Sequence, residues 1–215
     1  TRDGIRPGML GDAACFSFYA TKNITSGEGG AIATHDSHLA TKLGLLRLHG
    51  MSKSAADRYT AKYQHWDMEL LGYKANMFDI QAALLIPQLR KMDAVRERRE
   101  QICQRYEQAF TAANIEFPRV LPGVISARHL FTVWTPRGRR DDMLAGLQAK
   151  GLGVAVNFRA IHLLKYFRET MGCRPGDLPV AESIGDRTIT IPMYAKLTDQ
   201  EIEYVISTVT EVING

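Results

Sequence analysis

The sequence SFYATKNITSGEGG, residues 17–30, places one lysine between an apolar run and a cluster of glycines. Residues 15–19 and 29–34 have the composition of two short strands, the first of them buried, and Lys22 lies in the turn region between them. Apolar walls around that turn would desolvate the amine, and a desolvated amine is suited to nucleophilic chemistry such as Schiff-base formation. The simpler alternative is a solvated lysine in a hairpin loop, and this stretch alone leaves both interpretations open.

The bulk composition indicates a globular chain. It has 215 residues, of which 45% are hydrophobic and 23% charged, enough for one large or two small cores. The net charge of +4 and the pI near 9.0 suit a nucleic-acid surface or an enzyme with an anionic substrate. The basic residues of positions 90–105 alternate with acidic ones, which is typical of a solvated helix face, so nucleic acid is disfavoured.

The cysteines and the hydropathy indicate the compartment. Cys15, Cys103 and Cys173 are odd in number and widely spaced, and the histidines are not clustered, so neither a disulfide framework nor a metal site is expected. No apolar run approaches the roughly 18 residues that cross a bilayer, and residues 1–8 lack the apolar core of a signal peptide. We therefore predict a cytoplasmic protein that does not bind a membrane.

Periodicity predicts mixed α/β structure along the chain. Asp36 can cap a helix that ends at Gly50, and residues 51–64 form a loop. A long helix starts at Asp79, and Pro87 should kink or break it. Strands follow at 130–134, 153–156 and 189–191, with a helix over 140–150 and a last helix that begins with the capping-box pair Thr198 and Glu201.

A family resemblance covers nearly the whole chain. The pattern Ser-Phe-x-x-x-Lys-x-x-x-x-x-Glu-Gly-Gly of the DegT-type (DegT/DnrJ/StrS) nucleotide-sugar aminotransferases is matched by Ser17, Phe18, Lys22, Glu28, Gly29 and Gly30. Further similar segments follow in the same order at 48–50, 71–77, 79–83, 157–162 and 189–192. The loop around Asp57 most resembles enzymes that aminate the 4-keto group of a UDP-linked sugar, the 4-amino-arabinose type included.

The resemblance implies a fold-type I pyridoxal-phosphate (PLP) transferase, an α/β fold like that of aspartate aminotransferase. Residues 1–87 would be the C-terminal part of the large cofactor domain, and residues 88–215 the small C-terminal α/β domain. Because the family's lysine lies past the middle of the polypeptide, this chain is expected to be the C-terminal portion only. The isolated chain should then bind PLP weakly or not at all.

The resemblance also implies roles for individual residues at the cofactor. Lys22 would be the catalytic Schiff-base lysine, and the Ser17 hydroxyl would help to hold the cofactor phosphate. Lys74 and Asn76 are alternative contacts to the phosphate of the neighbouring subunit, which implies a homodimer with shared active sites. A lysine is a flexible point charge and would suit a phosphate well.

The substrate side of the site is assigned in the same way. Arg159 and His162 resemble a segment that borders the substrate, Arg58 and Tyr59 would touch the nucleotide, and Glu28 is a further candidate. A lone histidine is as often a structural residue, and Glu28 could instead brace the glycine turn.

The resulting hypothesis is transamination of a nucleotide-linked keto sugar, with glutamate as donor and 2-oxoglutarate as product. One alternative is a non-catalytic fragment or interaction domain derived from the family. Another is the PLP-dependent sugar dehydratase branch, which carries histidine where Lys22 lies, so the lysine argues against it.

Overall fold

The computed structural model describes residues 1–52 and 65–215, which form two compact units. The first comprises Thr1–Met92 with Gly123–Ile125, and the second comprises Asp93–Pro122 with Ser126–Gly215. The boundary predicted at residue 87 lies inside a helix that belongs wholly to the first unit.

The first unit begins with a two-stranded sheet. Strand β1 (Ala14–Ser17) pairs antiparallel with β2 (Gly30–Ala33), so that Ser17 is opposite Gly30. Helix α1 (Ser37–Leu46) follows, and the Asp36 carboxylate accepts the backbone N–H groups of His38 and Leu39 at 2.8 and 3.1 Å. The predicted cap and the start of the helix are therefore confirmed. The predicted end at Gly50 is wrong, since the helix ends at Leu46.

The expectation of a buried first strand is wrong for this chain. Three of the four residues of β1 and all four of β2 are exposed, and Lys22 is exposed with them. An apolar strand sequence indicates that the strand favours burial, but the strand is buried only where another element packs on it. Within residues 1–52 and 65–215 no element covers these strands, and these residues therefore do not form the predicted apolar walls around the Lys22 amine.

Two glycines fix the pairing of residues 46–51 with residues 68–75. The N–H of Tyr73 donates to the carbonyl of Leu46 at 2.6 Å, and the N–H of His49 donates to Tyr73 at 2.9 Å. A Cβ atom on Gly50 would overlap the carbonyl oxygen of Leu70, and one on Gly72 would overlap the Gly50 nitrogen. Only glycine fits at either position, because the two backbones touch there.

The long predicted helix is two helices in the structure. Helix α2 spans Asp79–Arg90 and includes Pro87, and helix α3 spans Met92–Ala112. Of the predicted kink or break at Pro87, the break is wrong, because the helix continues to Arg90. The interruption is at Lys91, whose N–H donates to the Gln88 carbonyl at 3.1 Å. A proline removes one intrahelical donor, and here the remaining hydrogen bonds hold the last turn.

The second unit packs helices on a small antiparallel sheet. Strand β3 (Phe131–Trp134) pairs with β4 (Thr188–Ile191), and Phe131 is opposite Ile191. The helices after β3 are α4 (Arg140–Ala149), a 3-10 helix (Ile161–Leu163), α5 (Lys165–Met171), α6 (Pro179–Arg187) and α7 (Asp199–Asn214). The strand expected at 153–156 is reduced to a single bridge between Ala155 and Thr190.

The core of the second unit is apolar and well filled. Helix α3 contributes Ile102, Cys103, Tyr106 and Phe110, all fully buried, and the Tyr106 ring meets Phe131 edge-on at 5.2 Å. Helix α7 buries Ile202, Val205 and Val209 on one face, after the capping box of Thr198 and Glu201 that the sequence predicts. None of the helices within residues 1–52 and 65–215 is both long and apolar enough to cross a bilayer.

Candidate active site

The turn that carries Lys22 is fixed by backbone hydrogen bonds. The N–H of Lys22 donates to the carbonyl of Tyr19 at 2.9 Å, closing a turn soon after β1. The Phe18 carbonyl accepts the N–H of Ser26 at 3.0 Å and the Thr25 hydroxyl at 3.0 Å. The Lys22 side chain is exposed, and no carboxylate of the described residues forms an ion pair with it. Its amine is thus accessible on a well-held turn.

The glycine cluster after Lys22 allows close approach of two other segments. Gly29 has φ +146°, and a Cβ there would overlap the Met77 methyl group and lie 2.8 Å from the Ser26 hydroxyl. At Gly30 a Cβ would lie 2.8 Å from the Phe16 carbonyl. The glycines therefore bring residue 77 against the Lys22 turn.

Two glutamines of α2 hold the same turn from the other side. The Gln88 amide both donates to the Thr25 carbonyl (2.7 Å) and accepts the Thr25 N–H (2.9 Å). The Gln81 amide donates to the Glu28 carbonyl at 3.2 Å, which also accepts the Ser26 hydroxyl at 2.8 Å. The backbone of Glu28 thus takes part in bracing the turn, while its side chain is exposed.

Ser17, Lys74 and Asn76 differ in their surroundings. The Ser17 hydroxyl is exposed and, among the residues that the structure describes, accepts only the long N–H contact of Tyr19 at 3.4 Å. Lys74 is exposed, on the segment that pairs with Leu48. The Asn76 side-chain oxygen is buried and has no partner among the described residues. The oxygen and nitrogen of a carboxamide are told apart only by their hydrogen-bond partners. If the Asn76 carboxamide is flipped by half a turn, its nitrogen occupies the position of this oxygen and can donate a hydrogen bond there.

These groups fit a phosphorylated aldehyde such as PLP. The accessible Lys22 amine suits covalent attachment to an aldehyde, and the Ser17 hydroxyl can donate to phosphate. The Asn76 carboxamide can donate as well when it is flipped, so that its nitrogen takes the place of the unpartnered oxygen. Lys74 offers a positive charge as the alternative contact. Among residues 1–52 and 65–215, no cluster of histidine, cysteine and carboxylate side chains is suited to a metal ion.

Arg159 and His162 have contrasting environments in the second unit. Arg159 is exposed, while His162 is only 8% exposed. The Nε2 atom of His162 is 2.9 Å from Oε1 of Glu182. That hydrogen bond is the main cause that lowers the pKa of Glu182 below its usual value, and the N–H groups of Gly176 and Leu178 contribute to the shift.

The two remaining candidates, Arg58 and Tyr59, lie outside the described residues. The sequence interpretation also overlooked three features of the structure: the inward role of Gln81 and Gln88, the contact between Gly50 and Gly72, and the partner of His162. The glutamines had a usable signal, because residues seven apart lie on one face of a helix, and both are amides in an otherwise apolar segment.

Sequence comparison establishes the class of the protein. The model of the DegT/DnrJ/EryC1/StrS aminotransferase family matches residues 1–210, and the chain belongs to that family. Among particular relatives, the spore coat polysaccharide biosynthesis protein SpsC of Bacillus subtilis (strain 168) is 36% identical over 97% of this chain and 55% of its own length.

Solved structures agree with this assignment. Spr1654 of Streptococcus pneumoniae in its PMP form is 29% identical with a TM-score of 0.90, over 100% of this chain and 56% of that one. PseC of Helicobacter pylori, an aminotransferase involved in the biosynthesis of pseudoaminic acid, is 26% identical with a TM-score of 0.84, over 95% of this chain and 54% of its own. Spr1654 also has a PLP form, with a TM-score of 0.89. The predicted family and α/β fold are confirmed, and the chain spans about half the length of these relatives.

Proposed function

We propose that the protein containing this chain is a PLP-dependent aminotransferase that aminates the 4-keto group of a nucleotide-linked sugar, with glutamate as the amino donor. The observation that carries the proposal is the exposed Lys22 amine on a braced turn, within a family match that extends over residues 1–210. Relatives named as aminotransferases or as polysaccharide biosynthesis proteins support a sugar as substrate.

The residues of this chain would have distinct roles in binding the cofactor and in proton transfer. PLP, when bound, supplies the electron sink for transamination. The Lys22 amine would hold the cofactor and, once freed by the amino donor, would move the proton between the reacting carbons. The Ser17 hydroxyl would bind the phosphate of the cofactor in its own subunit. Either Lys74 or Asn76 would bind the phosphate of the cofactor held by the neighbouring subunit.

Other residues would bind the substrate. The planar guanidinium of Arg159 suits a diphosphate or a carboxylate, since it can donate to two oxygens at once. Arg58 and Tyr59 are proposed to meet the nucleotide, and the exposed Glu28 side chain is a further substrate contact. All three cysteines are unpaired, which supports our placement of the enzyme in the reducing cytoplasm.

The outer face of α2 supports a homodimer. Its amides point toward the Lys22 turn, while Ile80 is 80% exposed and Leu84 52% exposed. Large exposed apolar faces are typical of interaction surfaces. We propose that a second copy covers this face, which would bring the partner's Lys74 or Asn76 segment to the Lys22 site.

Covalent trapping tests the cofactor role of Lys22. The complete polypeptide should bind added PLP with an imine absorbance, and borohydride reduction should leave a phosphopyridoxyl group on Lys22 in a peptide mass spectrum. Lys22→Arg keeps the charge and should abolish the adduct, whereas Lys42→Arg on α1 should retain it. A complete polypeptide with no adduct on Lys22 would refute the enzymatic function and favour a non-catalytic protein.

Amino transfer tests the reaction class. The complete enzyme is incubated with glutamate and a panel of nucleotide-linked 4-keto sugars, and 2-oxoglutarate release is measured. Release that depends on one sugar confirms transamination. Consumption of a sugar without 2-oxoglutarate would point to the dehydratase reaction instead.

Mixing of inactive variants tests the shared site. A Lys22→Ala enzyme and an enzyme changed at both Lys74 and Asn76 should each be inactive, whereas an equal mixture that exchanges subunits should regain about a quarter of the parental activity, because half of the dimers contain one intact site. No recovery in a mixture shown to contain hybrid dimers would exclude sites shared between subunits.

A further inference from the structure

The hydrogen bonds of Glu182 tie three separate segments together. Its Oε1 atom lies 2.9 Å from His162 Nε2 in the 3-10 helix, 2.8 Å from the N–H of Gly176 and 3.4 Å from the N–H of Leu178. An oxygen that already accepts two backbone donors requires His162 to donate as well. The pair is thus a fixed connection between α6 and the segment that contains Arg159.

A second connection lies one turn further along α6. Gly185 approaches the backbone of Arg159 and Ala160 so closely that a Cβ would lie 2.6 Å from the Ala160 nitrogen and 3.1 Å from the Arg159 carbonyl carbon. The Gly185 carbonyl accepts the Arg140 guanidinium at 2.9 Å. Residues 182 and 185 are three apart and face the same way on a helix, so one face of α6 receives residues 159–162.

Arg159 is held at its backbone while its side chain stays accessible. Its guanidinium is exposed, and its charge contributes, after that of Arg140, to the lowered pKa of Asp141. The segment therefore combines a fixed main chain with an accessible cationic end, which is the arrangement required to orient one arginine toward an anion.

We propose that His162 is a positioning residue: through its hydrogen bond to Glu182 it fixes the segment 159–162 on α6, so that Arg159 meets the diphosphate or carboxylate of a ligand, and it does not contact the ligand itself. This inference rests on the proposed function for the identity of the ligand. The anchoring is a property of the protein alone and can be measured without any substrate.

The anchoring is tested first by hydrogen exchange of the complete polypeptide. His162→Leu removes the donor, and the amides of residues 157–164 should then exchange about tenfold faster. His162→Gln, which retains an N–H donor, should restore much of the protection, and Glu169→Gln on the exposed side of α5 should change nothing. Unchanged protection in the His162→Leu protein overturns the proposal whether or not the parent is an active aminotransferase.

Kinetics then test whether His162 acts through Arg159. In the active parent, His162→Leu should raise KM for the nucleotide sugar about tenfold while kcat falls less than about threefold. In an Arg159→Ala background the same change should have little further effect, because the two losses are not additive when one residue acts through the other.

Other outcomes of these experiments would contradict either the positioning role of His162 or the proposed aminotransferase function. Additive effects of the two substitutions, with no rescue by glutamine, would mean that His162 contacts the ligand directly and would overturn the proposal. An inactive parent with the predicted exchange pattern would refute the aminotransferase function and leave the anchoring role of His162 intact.

Discussion

Cys103 shows how the core of the second unit controls the chemistry of a side chain. The thiol lies on the buried face of α3 against Met193, and burial raises its pKa to about 12, although the nearby Arg128 acts in the opposite direction. A thiol reacts as its thiolate, and burial removes both the thiolate and the access of a reagent.

Cys15 and Cys103 should therefore differ in their reactivity toward an alkylating reagent in the folded protein. At pH 8 and with limiting iodoacetamide, we expect Cys15, which is exposed, to be labelled and Cys103 to remain unlabelled in a peptide mass spectrum. In denaturant the two should be labelled equally. Equal labelling under native conditions would contradict the buried placement of Cys103.

Glu182 gives the fold a predicted pH dependence. Its folded-state pKa lies below the unfolded value, chiefly because of the hydrogen bond from His162. The resulting stabilisation is present above the unfolded pKa of about 4.3 and is lost as the pH falls through the lower folded pKa.

A Glu182→Gln variant should reveal this contribution. Its melting temperature should lie below that of the parent at pH 6, and the difference should shrink as the pH falls below about 4, where the parent carboxylate is protonated as well. Glu169→Gln, a change at an exposed carboxylate, serves as the control. A difference between parent and Glu182→Gln that grows on acidification would mean that folding does not lower the pKa of Glu182.

At the scale of elements, the close contact between α6 and residues 159–160 explains why a glycine lies inside this helix. Glycine is a weak helix former, and replacing it by alanine in a helix normally stabilises by about 0.5–1 kcal/mol. Gly185 has no room for a Cβ, whereas Gly44 in α1 has open space around it.

Substitution of the two glycines by alanine should change stability in opposite directions. We expect Gly44→Ala to stabilise its unit by about 0.5–1 kcal/mol and Gly185→Ala to destabilise its own by at least about 1 kcal/mol, since backbone atoms must shift. Hydrogen exchange of α1 and α6 amides measures each effect within its own unit. Stabilisation by Gly185→Ala would show that residues 159–160 are not held against α6.

The elements that sequence reasoning predicted well have local signals. Asp36 marks the start of α1, and Thr198 with Glu201 marks the start of α7, because a cap is formed by residues within one turn. The turn at Lys22 was recognisable from its glycines and from the family motif. These features need no knowledge of the rest of the fold.

The features that were missed depend on distant partners. The acceptor of His162 lies twenty residues away, and Gln88 meets Thr25 from 63 residues along the chain. The exposure of β1 depends on what packs on it, and no pattern within the strand records that. The break at Lys91 instead of Pro87 reflects the hydrogen bonds of the last turn of α2, which outweigh the loss of one donor.

At the scale of the whole molecule, the first unit exposes an apolar surface. The outward residues of α2 and the segment before it include Leu71, Tyr73, Phe78, Ile80, Leu84, Ile86 and Leu89. Monomeric proteins rarely leave such a large set uncovered. The residues proposed to bind the cofactor, Lys22, Ser17 and either Lys74 or Asn76, belong to the same unit. We therefore expect that covering the apolar surface and completing the proposed site are linked.

Cofactor capture should consequently depend on the rest of the polypeptide. We expect the 215-residue chain alone to give no borohydride-stable adduct on Lys22 at PLP concentrations that saturate the complete protein, because most of the contacts to the cofactor would be missing. Comparison of the two proteins by mass spectrometry measures this. A stoichiometric Lys22 adduct in the chain alone would show that the first unit binds PLP by itself.

A point change on α2 should test the surface separately. Leu84→Glu in the complete polypeptide should shift the molecular mass in light scattering from dimer toward monomer, since burying an unpaired charge at an interface is costly. Ala40→Glu on the exposed side of α1 should leave the mass unchanged. A dimer that tolerates Leu84→Glu would place the interface elsewhere.

The inverted polarity of α2, with amides inward and aliphatic side chains outward, also bears on the fate of the chain in a cell. A subunit that has not yet met the second copy proposed to cover α2 presents the kind of apolar surface to which chaperones bind and at which aggregation begins. Degradation of such unpaired subunits would limit their accumulation. The helix that contributes two glutamines to the lysine turn would thus also mark an unpaired subunit for degradation.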